Sequence, residues 1–297
     1  MSSDEKNNIR DNDVLIGIQA GSSLEGRRWS PDYFAALANG LIDNLGAKIV
    51  LLGVKAEDVL ADKIISISKY PTKILNLVGE TNIDQLTALV KRCIYVIGND
   101  TGTMHVAAAV DTTTVGLFFA HAHPYETAPY SSGHLIFQAR IPCAPCSYGV
   151  ECNNVVCIQK VNPKHLIAMI QNHFTDGCWR LTEDASSSNE LNIYETCLGN
   201  DRRLRLRPLV KHTLTVVDIF RELYTGHWLK FLELGEISKI NCSNVASLLL
   251  REYDCSNINI LIKKLNFKFS DIDAYAFSEG PGSYTGLRIG AAAVKGF

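Results

Sequence analysis

A doubly wound α/β fold, a mostly parallel sheet with helices on both faces, is predicted for residues 14–174 by three observations. Short β-rich runs alternate with amphipathic helical stretches throughout that range. The helical stretches carry recognisable start and stop residues. Between a strand and the following helix there is repeatedly a short polar or glycine-bearing turn, as at Gly53, Gly79-Glu80-Thr81 and Asn99-Asp100-Thr101-Gly102.

The first strand is expected over 14–19. Ser30 and Pro31 then read as N-cap and first helical position, Phe34, Leu37, Ala38, Leu41, Ile42 and Leu45 recur at helical spacing, and Gly46 stops the helix. The same reading gives strands over 48–52, 73–77, 95–98, 114–118 and 135–138. Helices fit 56–67, 82–91, 103–110 and 163–174. In a sheet of this kind the ligand lies at the carboxyl ends of the strands, where the loop 19–29 and the turns named above would gather.

Composition narrows the class. The chain has 297 residues, 46% of them apolar, and a formal net charge of −2, so it has core material and no global attraction to nucleic acid or membrane. Residues 1–12 are a polar tail without the apolar centre of a signal peptide, and no run approaches the length of a membrane span. A cytoplasmic location is expected, with most of the nine cysteines reduced.

After residue 174 the pattern decays. The domain is expected to occupy 13–175, with a linker over 176–212 that includes the polar stretch 182–189 and the basic cluster Arg202, Arg203, Arg205, Arg207 and Lys211. Leu204, Leu206 and Leu209 alternate with those charges, which favours a half-buried extended segment with one solvated face. Contact with anionic lipid, aided by Phe220, Tyr224, Trp228 and Phe231, is the functional alternative. Residues 213–297 read as a small α/β extension, its last part as helix, strand, glycine turn and helix.

The junction at 96–105 is the most chemical part of the sequence. An apolar strand runs into a glycine-opened helix, whose first N–H groups lack partners and whose dipole attracts anions, phosphate above all. Asp100 suits either a helix N-cap or a ligand contact, and spacing alone favours the cap. Thr101 and His105 are one turn apart and share a face. Arg27 and Arg28 are either solvated charges or a paired grip on phosphate. Glu57 either complements a helix dipole or accepts from sugar hydroxyls.

Ile18-Gln19-Ala20-Gly21-Ser22, Arg27-Arg28-Trp29-Ser30-Pro31, Leu77-Val78-Gly79-Glu80-Thr81 and Asn99-Asp100-Thr101-Gly102-Thr103-Met104-His105 occur in the order seen in glycosyltransferase family 9, the lipopolysaccharide heptosyltransferases, whose nucleotide-binding half this stretch resembles. The resemblance implies the C-terminal half of a GT-B fold and an ADP-heptose donor. Asp100 would bind the donor sugar, Thr101 and the Gly102 amide the diphosphate, with His105 beside it. Arg27 stands where the family usually has a phosphate-contacting Lys, and Glu57 and Thr81 would face the nucleoside. The implied reaction is inverting transfer to a lipid-linked oligosaccharide, the lipopolysaccharide core, at the cytoplasmic face of the inner membrane. Its catalytic base would be an Asp of an N-terminal acceptor domain that this chain is expected to lack, which leaves the expected enzyme incomplete unless a separate N-terminal half supplies it.

Two further features complete the expectations. Cys143, Cys146, Cys152 and Cys157 are dense enough to raise zinc as an alternative to a metal-free loop, although their spacing is not that of paired Cys-x-x-Cys ligands. Residues 269–290, with Gly280-Pro281-Gly282-Ser283-Tyr284-Thr285-Gly286, resemble the early part of the TsaB (YeaZ) subunit of the tRNA threonylcarbamoyladenosine machinery, which would imply a TsaD-like partner. A non-catalytic binding or interaction module is the competing class.

Overall fold

The computed structural model describes residues 9–141, 143–146, 152, 154–187, 189–199 and 202–210, together with the backbone of 276–279 and 287–290. The chain divides into two units, one of residues 1–146 and 150–211, the other of 147–149 and 212–297.

The first unit holds an eight-stranded sheet in the order β3-β2-β1-β4-β5-β6-β7-β8. Its strands are β1 (Leu15–Gln19), β2 (Lys48–Leu52), β3 (Ile74–Asn76), β4 (Tyr95–Asn99), β5 (Thr113–Phe118), β6 (Leu135–Ala139), β7 (Leu191–Leu198) and β8 (Leu204–Pro208). Strands β1 to β6 are parallel. This is the doubly wound sheet expected. The connections leave β1 toward β2 and leave β4 toward β5 on the other side, so the crevice between the carboxyl ends of β1 and β4 is the switch point where such sheets bind ligands.

The crossovers use α1 (Pro31–Leu45), α2 (Asp58–Ile67), α3 (Ile83–Arg92) and α4 (Gly102–Ala109), with α5 (Pro124–Thr127), α6 (Val156–Lys160), α7 (Pro163–Asp176) and α8 (Glu183–Ser187) following. Local chemistry sets their ends. Ser30 Oγ accepts from the Asp32 amide and Gly46 closes α1 in the left-handed region at φ 64°. Asn82 and Gln85 form a reciprocal capping box on α3.

Period-two alternation splits the strands between two cores, as a sheet covered on both faces requires. Ile16, Ile18, Ile49, Leu51, Tyr95 and Ile97 join one core with Leu37 and Leu41 of α1 and Leu166, Met169 and Ile170 of α7. Val50, Leu52 and Val96 join the other with Leu89 and Val90 of α3 and Met104 and Ala107 of α4. Trp29 is fully buried in the first core, with its indole N–H donating to Val161 O at 3.1 Å.

The expected boundary at 175 and the linker over 176–212 give way to a continuing sheet. β7 pairs antiparallel with β6 and β8 antiparallel with β7. The polar stretch 182–189 includes α8, whose Ala185 is buried and whose Ala185 amide is held by Thr182 Oγ1. Short-range composition there is that of a linker, but Leu191, Ile193 and Tyr194 have a sheet edge to cover. The basic cluster is the half-buried strand with a charged face: Leu206 is buried, Arg205 and Arg207 are exposed, and Arg207 pairs with Glu195. Lys211 and the aromatic segment with Phe220, Tyr224, Trp228 and Phe231 lie outside the described residues.

In the second unit, β9 (Ala276–Glu279) pairs antiparallel with β10 (Leu287–Gly290). Residues 287–290 were expected to open a helix and are instead extended. The pairing Leu287↔Glu279 to Gly290↔Ala276 satisfies their backbone groups across the two strands.

Candidate functional site at the β1 and β4 switch point

The carboxyl end of β4 organises the site. Asn99 is fully buried, and its amide donates to Ala20 O at 2.7 Å and Gly21 O at 3.2 Å while its Oδ1 accepts from the Trp29 amide at 3.1 Å. One side chain thereby ties both ends of the loop 20–29 to β4. Gly98 allows the strands to close here, because a Cβ at that position would lie 2.4 Å from Gln19 O.

Gln19 links the site laterally. Its Nε2 donates to Glu57 Oε2 at 3.0 Å and its Oε1 accepts from Thr103 Oγ1 of α4 at 3.0 Å. Glu57 Oε2 also accepts from the Val54 amide at 3.1 Å. The carboxylate lies against the backbone of Gly21, where a Cβ would come within 1.9 Å of it. Glu57 is thus a fixed, half-buried acceptor between the ends of β1 and β2.

Asp100 does not cap α4. Thr101 occupies the N-cap position in extended conformation, φ −146° and ψ 166°, and its side chain makes no capping bond. Asp100 turns instead toward the 3-10 turn Glu25–Arg27 and toward α5: its Oδ2 lies 3.5 Å from Arg27 Nη1 and accepts from Thr127 Oγ1 at 3.0 Å. The two charged side chains are only 15% and 8% exposed, Arg27 and Asp100 respectively. Burial pushes the Asp100 carboxyl above its ordinary range, opposed by the Thr127 hydrogen bond and by Arg27 and His105.

On the loops that follow β1 and β4, three buried polar atoms have no partner among the described residues: Ser22 Oγ, Arg27 Nε and Thr101 Oγ1. Buried polar atoms are almost always satisfied, so these three have hydrogen-bonding capacity left for a water or a polar ligand. Space exists for it, since a Cβ on Gly102 at the first turn of α4 would meet nothing within 4 Å. His105 stands exposed one turn further along α4.

The structure therefore brings Arg27, Asp100, Thr101, Gly102 and His105 together, and Glu57 beside them through Gln19. Thr81 is half-buried in the loop after β3, just before the α3 cap, and no hydrogen bond joins it to the others among the described residues. Arg28 donates from Nε to Ser22 O at 2.9 Å. Sequence reasoning passed over Gln19, Ser22, Asn99, Thr103 and Thr127 as site residues. Gln19, Ser22, Asn99 and Thr103 lie inside the motifs that carry the family resemblance, but Thr127 carried no sequence signal at all.

A cavity of about 210 Å³ behind Arg27 is lined by His121 and by Cys143, Cys146, Cys152 and Cys157. These cysteines are free, and burial pushes the Cys146 and Cys157 thiols up, with the neighbouring thiols adding to the effect. Among the described residues no three His, Cys, Asp or Glu side chains are arranged to hold a metal ion.

The profile of the family described as glycosyltransferase family 9 (heptosyltransferase) matches residues 2–154. The chain is 35% identical over 120 residues to lipopolysaccharide heptosyltransferase 2 of Salmonella typhimurium, covering 39% of this chain and 34% of that protein. It is 28% identical over 172 residues to lipooligosaccharide heptosyltransferase 2 of Campylobacter jejuni, covering 55% of this chain and 52% of that one. The chain thus spans roughly a third to a half of the length of these curated relatives. Among solved structures it matches the ADP-heptose lps heptosyltransferase II of E. coli with a TM-score of 0.50 at 23% identity, covering 59% of this chain and 50% of that one, a likeness of fold. Residues 254–297 match the profile described as TsaD, tRNA N6-adenosine threonylcarbamoyltransferase, and of these only 276–279 and 287–290 are among the described residues.

Proposed function

This chain belongs to glycosyltransferase family 9, the heptosyltransferases, and from that premise we propose that residues 13–211 form the donor-binding part of such an enzyme, taking ADP-heptose for inverting transfer to a lipopolysaccharide core acceptor. One observation carries the reading: among the described residues Ser22 Oγ, Arg27 Nε and Thr101 Oγ1, on the two loops that follow β1 and β4 at the switch point, have no hydrogen-bond partner. The ADP-heptose donor is that named for the E. coli enzyme whose fold the chain shares.

In this reading the diphosphate lies over the first turn of α4. Arg27, Thr101, the Gly102 amide and His105 stabilise the charge that builds on it as the sugar leaves. Asp100 accepts from sugar hydroxyls, and Glu57, already oriented by Gln19 and the Val54 amide, accepts from the ribose. Thr81 stands further out toward the base. The base that deprotonates the incoming hydroxyl belongs to an acceptor domain, which the family resemblance assigns to an N-terminal half. The lipid-linked acceptor sets the place of reaction at the cytoplasmic face of the inner membrane; among the described residues no helix is long and apolar enough to cross a membrane.

Titration calorimetry of the chain with ADP and with ADP-heptose tests the reading. Both are expected to bind, with Asp100→Ala weakening ADP-heptose more than ADP and His105→Ala weakening both. Absence of binding, or binding indifferent to both substitutions, would sink the assignment. A second reading, a contribution of residues 254–297 to tRNA threonylcarbamoyladenosine synthesis with a TsaD-like partner, is favoured by the profile match to that stretch alone.

A further inference from the structure

The two carboxylate oxygens of Asp100 stand in different settings. Oδ2 accepts from Thr127 Oγ1 at 3.0 Å and faces Arg27 Nη1 at 3.5 Å. Oδ1 has no hydrogen bond within the protein among the described residues. Thr127 is the last residue of α5, and its hydroxyl also lies 3.3 Å from His123 O, one turn back. The hydroxyl is therefore bracketed between its own helix and the carboxylate.

We propose that Thr127 is the positioning residue for Asp100: its hydroxyl occupies Oδ2 and fixes the carboxylate plane, so that Oδ1 is presented to a hydroxyl of the transferred sugar. This rests on the donor-site reading above. Arg27 alone does not set the plane, because at 3.5 Å its attraction is mainly coulombic and weakly directional. A threonine hydroxyl has a single proton to give, and giving it to Asp100 favours the ionised, acceptor-only form that sugar hydroxyls need. The loss of that bond leaves burial less opposed, with Arg27 and His105 the charged groups still facing the carboxyl.

Thr127→Val removes the hydroxyl at nearly constant shape, and Thr127→Ser keeps it. Calorimetry of the full chain with ADP and with ADP-heptose separates the roles, since in the donor-site reading Asp100 contacts the sugar, which ADP lacks. Thr127→Val is expected to weaken ADP-heptose about tenfold while leaving ADP nearly unchanged, and Thr127→Ser to restore ADP-heptose binding. Equal weakening of both ligands, or no rescue by serine, overturns the proposal.

A carbon-detected NMR titration of the Asp100 carboxyl gives a reading without ligand. Its midpoint is expected to move up in Thr127→Val and to stay in place in Thr127→Ser. An unmoved midpoint in the valine variant overturns the proposal. Wild-type chain that binds neither nucleotide would defeat the donor-site reading itself, and the carboxyl titration would still decide whether Thr127 governs Asp100.

Discussion

Asn99→Asp exchanges one amide nitrogen for oxygen at a fully buried position. The Trp29 amide keeps its acceptor, but the Ala20 and Gly21 carbonyls, now receiving hydrogen bonds at 2.7 and 3.2 Å, would face a carboxylate oxygen. Two bonds are lost and two buried carbonyls are stranded beside an anion, at about 1–3 kcal/mol each. The longer Gly21 contact weighs less, so we expect a loss of about 3–4 kcal/mol at pH 8, a large part of the ~5–15 kcal/mol that holds a domain folded. Protonation of the new carboxyl would return one donor to Ala20. Its folded pKa therefore lies above the unfolded value of ~3.9, and the penalty is full above the folded pKa and shrinks as pH falls toward the unfolded one. Urea unfolding of wild type and variant at pH 8 and pH 5 checks this, each difference being taken at one pH so that other acid-sensitive groups cancel. A variant within about 0.5 kcal/mol of wild type at pH 8, or a difference that grows on acidification, would refute the reasoning.

His134 gives the wild type its own acid sensitivity. It accepts from the Thr114 amide at 3.0 Å and contacts the Ser131 hydroxyl, and burial pushes its pKa from 6.5 down to about 4. The unfolded chain binds the proton first, so stability is complete above pH ~6.5 and declines by about 3 kcal/mol on the way to pH ~4; His134→Gln should flatten that decline in urea midpoints. Gly21→Ala drives a methyl into the Glu57 carboxylate, 1.9 Å from the new Cβ. It should cost about 1 kcal/mol of stability and weaken ADP, and combination with Glu57→Ala should recover the stability while the weak binding persists. A chain ending at residue 175 would expose the β6 edge and remove Leu191, Ile193 and Tyr194 from the cores. It should lack the single cooperative thermal transition that a chain ending at 211 retains.

The elements most legible in the sequence are those fixed by a few neighbours. α1 lies between Ser30 and Gly46 because a hydroxyl cap and a left-handed glycine act within one turn. β2 matches its expected range of 48–52 because a run of Ile, Val and Leu buried on both faces needs no distant information. β7 escaped because its pairing depends on β6, more than fifty residues earlier in the chain for the Gln138–Asn192 contact, whereas the alternation of Leu204 and Leu206 with charges marked β8 as an extended segment. Nothing in the polar run before β7 records that edge.

The same division holds at the site. Sequence alone determined that Asp100, Thr101, Gly102 and His105 sit where a strand meets a helix, because chain neighbours and helical periodicity settle that. It also determined the family resemblance, through motifs whose order survives in one dimension. Only the tertiary structure decided that Asp100 is not a helix cap, because a capping and a non-capping Asp look alike until Arg27 and Thr127 are folded against it. It alone gave Asn99 its role, since an amide that holds Ala20 from 79 residues away is a product of strand order. Periodicity and caps are short-range quantities that the chain carries locally. Burial, and the hydrogen bonds it makes obligatory, exist only once β1 and β4 lie side by side.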